Sequence, residues 1–135
     1  MPLLIKEDLM KEKLHSESQE DYLEAIYIVN QRNGYCRSVD LAEQLGYSKA
    51  SVSVAISKMK AESLITVGHA GVLELTSEGE KIARYTLKKH ELIKKLLCGI
   101  GVEEQQADVE ACKIEHIISE ETFQKLTEAA DNCAL

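Results

Sequence analysis

The chain has no tryptophan, a single proline at Pro2, and only five tyrosines and one phenylalanine in 135 residues. A core built from it must be aliphatic. With proline confined to position 2 and long runs of good helix formers after it, a mostly α fold is favoured. No stretch approaches the roughly 18 apolar residues that span a bilayer, so no membrane partner is expected. The start, Met1-Pro2-Leu3-Leu4-Ile5-Lys6-Glu7-Asp8, lacks the apolar run of a signal peptide. Four cysteines occur, without a Cys-x-x-Cys pair or a dense framework. That usage reads as reduced and cytoplasmic. Basic residues are also in deficit, 16 against 23 acids, for a net charge of -7. Bulk charge therefore argues against nucleic acid.

The distribution of charge partly offsets its sum. Residues 103–131 hold nine acids against Lys113 and Lys125, whereas residues 44–61 hold no acid and three lysines, Lys49, Lys58 and Lys60. An acidic half beside a locally basic helix suits a regulator whose acidic part does something other than bind DNA. At 135 residues, 44% of them hydrophobic, the chain is one ordinary domain or two very small ones.

In chain order, residues 3–14 allow a short amphipathic helix. Ser18 with Asp21 three residues on resembles a capping box, opening a helix to about Gln31 with Tyr22, Leu23, Ile26, Tyr27 and Val29 inside. Gly34 ends it. Ser38 is the expected cap of a helix over 39–45, Gly46-Tyr47 a turn, and Ser48 the cap of a helix over 49–63. Val52, Ala55, Ile56 and Met59 form the buried stripe of that third helix. Helix, short turn, helix is the arrangement that places its second helix in the DNA major groove. Ser48, Lys49, Ser51, Ser53, Ser57 and Lys58 are the candidate DNA contacts, since small hydroxyls allow close approach and lysines meet phosphates. Residues 64–67 and 72–75 read as a hairpin around Gly68-His69-Ala70-Gly71, completing a winged helix whose tip offers only His69 as a cation. Further helices are expected over 77–97, 103–118 and, capped by Ser119, 120–130.

One stretch carries chemistry of a different kind: Cys112-Lys113-Ile114-Glu115-His116. At helical pitch, positions i, i+3 and i+4 share one face. Cys112, Glu115 and His116 thus offer a thiolate, a carboxylate and an imidazole to a divalent transition metal. Asp21 and Glu24, at i and i+3 of the first helix, and His90 on the long helix are further donors. The ordinary alternatives are a buried cysteine, a helix-capping Asp21 and a solvated Glu24.

Taken together, Glu20-Asp21-Tyr22-Leu23-Glu24, Leu75-Thr76-Ser77-Glu78-Gly79, Lys89-His90-Glu91-Leu92-Ile93 and Glu110-Ala111-Cys112-Lys113-Ile114-Glu115-His116 resemble the diphtheria-toxin-repressor family. Iron-dependent repressors and manganese-transport regulators belong to it. The resemblance spans about 18–126 and implies a two-domain homodimer that uses a divalent metal as corepressor on a double-stranded DNA operator. It implies a winged helix-turn-helix domain at 1–76, with an extension over 1–15, and a helical metal-binding and dimerisation domain at 77–135. Ending at Leu135, the chain is similar to the shorter branch without a third domain. By position, Asp21, Cys112, Glu115 and His116 match the primary metal site, and Glu24 and His90 match second-ion ligands of the manganese branch. Asp at 21 is the manganese-branch residue and Cys at 112 the iron-branch residue, so the set is a hybrid. A thiolate is a poor bridge between two ions. The ancillary site of the iron branch keeps His90 but has Lys94 one turn later and Asp108 at a histidine position. Iron(II) is the favoured corepressor and manganese(II) the next.

Two other functions stay open on the sequence. A metalloenzyme would use the same donors with an open position for water, but no separate base, nucleophile pair or Gly-rich loop accompanies them. A metal-independent winged-helix regulator would answer to a protein or organic ligand, with Cys112 in its core.

Overall fold

The computed structural model of the protein describes residues 16–132. The expected helix over 3–14 and the extension over 1–15 lie outside the described residues. Packing divides the chain into two units between Tyr85 and Thr86.

In the first unit, α1 (Glu17–Asn33) is followed by α2 (Ser38–Leu45) and α3 (Lys49–Ala61). Helix α1 starts one residue ahead of Ser18, so Ser18 is an in-helix residue and not its cap. Gly34, at φ 83°, turns the chain out of α1 and donates its N–H to the Asn30 carbonyl at 2.8 Å. Such a left-handed exit suits a residue without Cβ. Ser38 is already helical, and the N-cap of α2 is Arg37, whose backbone N–H donates to the Asp40 carboxylate at 3.0 Å. Ser48 caps α3 as its sequence suggests, accepting from the Ser51 N–H at 3.1 Å. Helix α3 ends through paired bonds, Ser63 N–H to Lys60 O and Leu64 N–H to Met59 O, with Ser63 itself at φ 61°.

Strands β1 (Ile65–Val67) and β2 (Leu73–Leu75) pair antiparallel, Thr66 opposite Glu74, around a short 3-10 turn at His69–Gly71. Beyond the expected hairpin, Leu73 N–H reaches the Cys36 carbonyl at 2.7 Å and Arg37 bridges Val72. The wing is thereby stitched to the loop between α1 and α2. Leu23, Ile26 and Val29 of α1, Leu41 of α2, Val52 and Met59 of α3, and Ile65 and Leu73 of the strands are buried in one aliphatic cluster. Full burial of such a side chain is worth about 1.5–3 kcal/mol, so this layer fixes the orientation of α3.

Helix α4 (Ser77–Gly99) opens in the first unit and continues into the second. There follow α5 (Glu104–Ile114) and α6 (Glu120–Asn132). Glu103 caps α5 by accepting the Gln106 N–H at 3.2 Å, and Ser119 caps α6 by accepting that of Thr122 at 3.1 Å. Helix α5 stops four residues short of the expected 118. The backbone stays right-handed helical at Glu115, then tightens as Ile117 N–H bonds to the Ile114 carbonyl. Apolar Ile114, Ile117 and Ile118 continue the helical pattern past the true end, and no glycine marks it.

Candidate metal centre and nucleic-acid face

Cys112 lies in the last turn of α5, and Glu115 and His116 occupy the tight turn behind it. Each of the three places one ligand atom within 4.8 Å of the others. Donors across one ion bound at about 2.0–2.3 Å stand at most about 4.6 Å apart, so the three fit a common ion after small rotations. Glu115 is fully buried and His116 nearly so, while Cys112 is partly exposed. A charged carboxylate taken out of water needs specific partners. Glu115 has one in His90, whose Nδ1 stands 2.8 Å from Oε2, and its Oε1 lies 3.4 Å from His116 Nε2.

The other nitrogen of His90, Nε2, stands 2.8 Å from Asp108 Oδ1, and Lys94 Nζ stands 3.3 Å from that same oxygen and 3.7 Å from Glu104. The His90 hydrogen bond, then that of Lys94, hold the Asp108 carboxyl below its ordinary range; Asp108 in turn holds the Lys94 ammonium above its own. On the sequence, Lys94 and Asp108 stand out only as departures from a family pattern. Their convergence depends on side chains of α4 and α5 meeting, which no local spacing encodes.

Asp21 and Glu24 stand on α1 in the first unit, both partly buried. Glu24 lies one turn from Asp21 on that helix, as their spacing requires.

The predicted DNA contacts lie together on α3. Ser48, Lys49, Ser51, Ser53, Ser57 and Lys58 are all exposed, while Val52 and Met59 anchor the opposite face. The Ser48 oxygen is engaged in capping, and its hydroxyl also donates to Ser51 Oγ at 3.0 Å. Two exposed residues in this unit are not evident from the sequence. Val54 is 71% exposed in the middle of α3, an apolar side chain among serines. Arg37, its guanidinium 5.4 Å over the Tyr35 ring and its backbone bridged to Val72, puts a cation beside the base of the wing.

Models of two protein domains match the chain. The iron dependent repressor N-terminal DNA binding domain covers residues 15–72, and the iron dependent repressor metal binding and dimerisation domain covers residues 76–134. The chain belongs to the iron-dependent repressor family.

The HTH-type transcriptional regulator MntR of Bacillus subtilis (strain 168) is 39% identical over 103 residues, 76% of this chain and 72% of that protein. The same regulator of Bacillus pumilus is 38% identical over 76% of this chain and 71% of its own. Among solved structures, IdeR of T. acidophilum superposes with TM-score 0.75 and 31% identity, covering 86% of this chain and 55% of that one. A hypothetical protein of Sulfolobus solfataricus, SSo2273, gives TM-score 0.65 and 25% identity over 85% of this chain and 88% of its own. The chain thus spans about half the length of IdeR. The MntR relatives are regulators, and the family is one of metal-dependent transcriptional repressors rather than enzymes. Its winged helix-turn-helix and helical metal-binding layout is that of the present fold. No helix among the described residues is long and apolar enough to cross a membrane.

Proposed function

We propose that this repressor-family protein is a cytoplasmic homodimer that binds a double-stranded DNA operator when a divalent metal is held by Asp21, Cys112, Glu115 and His116. The observation that carries the reading is the close grouping of a thiolate, a buried carboxylate and a buried imidazole at the end of α5. A divalent cation suits such a set, since it would neutralise a carboxylate and a thiolate held side by side. A bound ion would supply positive charge that neutralises the donors and ties α1 to the end of α5.

The protein's own residues do the rest. Asp21 supplies the fourth ligand from the DNA-binding domain, for which we propose the bounds 1–76, and Cys112, Glu115 and His116 supply three from the domain at 77–135. A ligand shifts a conformational equilibrium only by its differential affinity for the two states. Holding Asp21 to the Cys-Glu-His turn selects one separation of the two recognition helices in a dimer. DNA is bound when that separation matches half-sites one helical turn, or a multiple, apart. Lys49 and Lys58 meet phosphates, and Ser51, Ser53 and Ser57 approach the bases.

For the corepressor we favour iron(II), with manganese(II) next. The thiolate and imidazole suit later, softer ions, while Asp21 and Glu115 add hard oxygen. A second ion on Glu24 and His90 would require His90 to release Glu115 or Asp108, so one ion per chain is the reading we adopt. For the dimer core we propose Ile93, Leu96, Ile118, Phe123 and Leu126; Ile93 is already buried in the single chain, and the other four are only partly covered.

The test is anaerobic anisotropy titration of a DNA library with each divalent ion in turn, beside metal counting and sedimentation. Uptake of one ion per chain with metal-dependent DNA binding by a dimer supports the proposal. DNA binding that ignores every metal would favour the regulator of protein or organic ligands instead.

A further inference from the structure

The Glu115 carboxylate does not have its two oxygens in like surroundings. Oε2 is 2.8 Å from His90 Nδ1, while Oε1 lies 3.4 Å from Nε2 of His116, itself one of the grouped donors. Rotating the carboxylate to present both oxygens to one ion would break the short bond to His90. His90 in turn is gripped at both ring nitrogens, by Glu115 and by Asp108, each at 2.8 Å. Asp108 alone is a poor anchor, because its side chain is 54% exposed. Lys94, one turn beyond His90 on α4, holds the same Asp108 oxygen at 3.3 Å. The sequence of contacts runs from the surface to the buried carboxylate without a gap.

From this geometry we propose that Lys94, Asp108 and His90 are positioning residues that orient Glu115 to offer a single oxygen, Oε1, to the metal. The inference rests on the metal-site reading above and adds to it the roles of three side chains that are not ligands. A carboxylate held to one donor atom leaves more of the coordination sphere to Asp21, Cys112 and His116. It disfavours ions that fill their sphere with two-oxygen carboxylates. Outer partners of metal ligands typically change affinity by about 10–100-fold when removed. As mere surface ion pairs, Lys94 with Asp108 and Glu104 would add little to folding and leave the metal site untouched. The two roles therefore separate cleanly in experiment.

The probe is cobalt(II), which reports both the thiolate, through a charge-transfer band, and the coordination number, through the intensity of its ligand-field bands. Full-length parent, Asp108→Ala, Lys94→Met and Lys94→Arg are titrated anaerobically, with thermal melting recorded for each. We expect Asp108→Ala to lose about tenfold or more in cobalt(II) affinity. Its ligand-field intensity should fall as Glu115 turns to chelate, while the thiolate band persists. Lys94→Met should move the same way by less, and Lys94→Arg should restore parental values. If the parent shows the thiolate band and all variants match its affinity and spectrum within twofold, the relay is overturned and the metal site stands. Affinity changes that track loss of melting temperature, with unchanged spectra at saturation, also overturn it. A parent with no thiolate band overturns both this inference and the metal-site reading.

Discussion

Gly79 packs its bare Cα against the carbonyl of Leu64, so closely that an added Cβ would collide with that backbone oxygen. Thr76 sets up the approach. Its hydroxyl donates to the Ser63 carbonyl at 2.7 Å and accepts from the Gly79 N–H at 3.2 Å. The start of α4 is thereby bound to the end of α3, the helix that carries the proposed DNA face.

Gly79→Ala is expected to destabilise the protein. In a helix, alanine gains about 1 kcal/mol over glycine in propensity. The obstacle here is backbone, which has no rotamer to yield, and overpacking costs about 1–3 kcal/mol. The collision should win. Urea unfolding of both proteins checks this, and a more stable alanine variant would contradict it.

The Cys36 thiol is buried in the aliphatic cluster, and burial raises its pKa from 9.0 to about 11, with Asp40 adding to the rise. A thiol whose folded pKa is raised contributes stability below the unfolded pKa and loses it as pH rises through the folded one. The window is therefore pH 9 to about 11. Stability should fall across it, and Cys36→Ala should flatten that slope while costing some stability at pH 7. At neutral pH, mass-resolved alkylation should find Cys98, which is exposed, modified well before Cys36.

How much of this was legible depends on the range of the interaction. Ser48 and Ser119 are read correctly as caps because a cap bonds three residues ahead. Ser38 is misread because Asp40, two residues on, serves the Arg37 N–H instead. The grouping of Cys112, Glu115 and His116 follows from spacing alone, and survives the early end of α5 because Glu115 keeps helical dihedrals. The contacts of His90 with Asp108 and Glu115 join residues 18 and 25 apart in sequence. They require two helices to meet, so composition and period carry no trace of them. Arg37 beside the wing is hidden for the same reason: its bridge to Val72 crosses the whole of α2 and α3.

On the DNA face, charge and sequence recognition should separate by residue. Losing one phosphate-binding lysine lowers the log-log salt slope by about 1. Lys49→Ala and Lys58→Ala should each do so and weaken binding to all sequences alike. Val54 carries no charge, so Val54→Ala should leave the slope unchanged. Its exposed methyls suit the 5-methyl of thymine, and its loss should reduce the penalty for replacing thymine by uracil in the selected operator. Anisotropy at several salt concentrations measures both. Unchanged slopes for both lysine variants would move the recognition surface off α3.

The identity of residue 112 should decide which ion works. Affinity alone is expected to rank zinc above iron(II) above manganese(II), the general order for divalent ions. Zinc favours a tetrahedron of four ligands and need not set the domain separation that DNA requires. Manganese(II) prefers oxygen and gains little from sulfur, whereas iron(II) tolerates the mixed set. Cys112→Glu replaces the partly exposed thiolate by a carboxylate in the last turn of α5. It should raise the response to manganese relative to iron, and a second ion should become easier to hold because a carboxylate bridges where a thiolate does not. Anaerobic, metal-dependent DNA binding of the parent, Cys112→Glu and Cys112→Ala measures the ratio. A parent that answers to manganese at lower free metal than iron, with Cys112→Ala behaving identically, would remove Cys112 from the ligand set and with it the preference for iron.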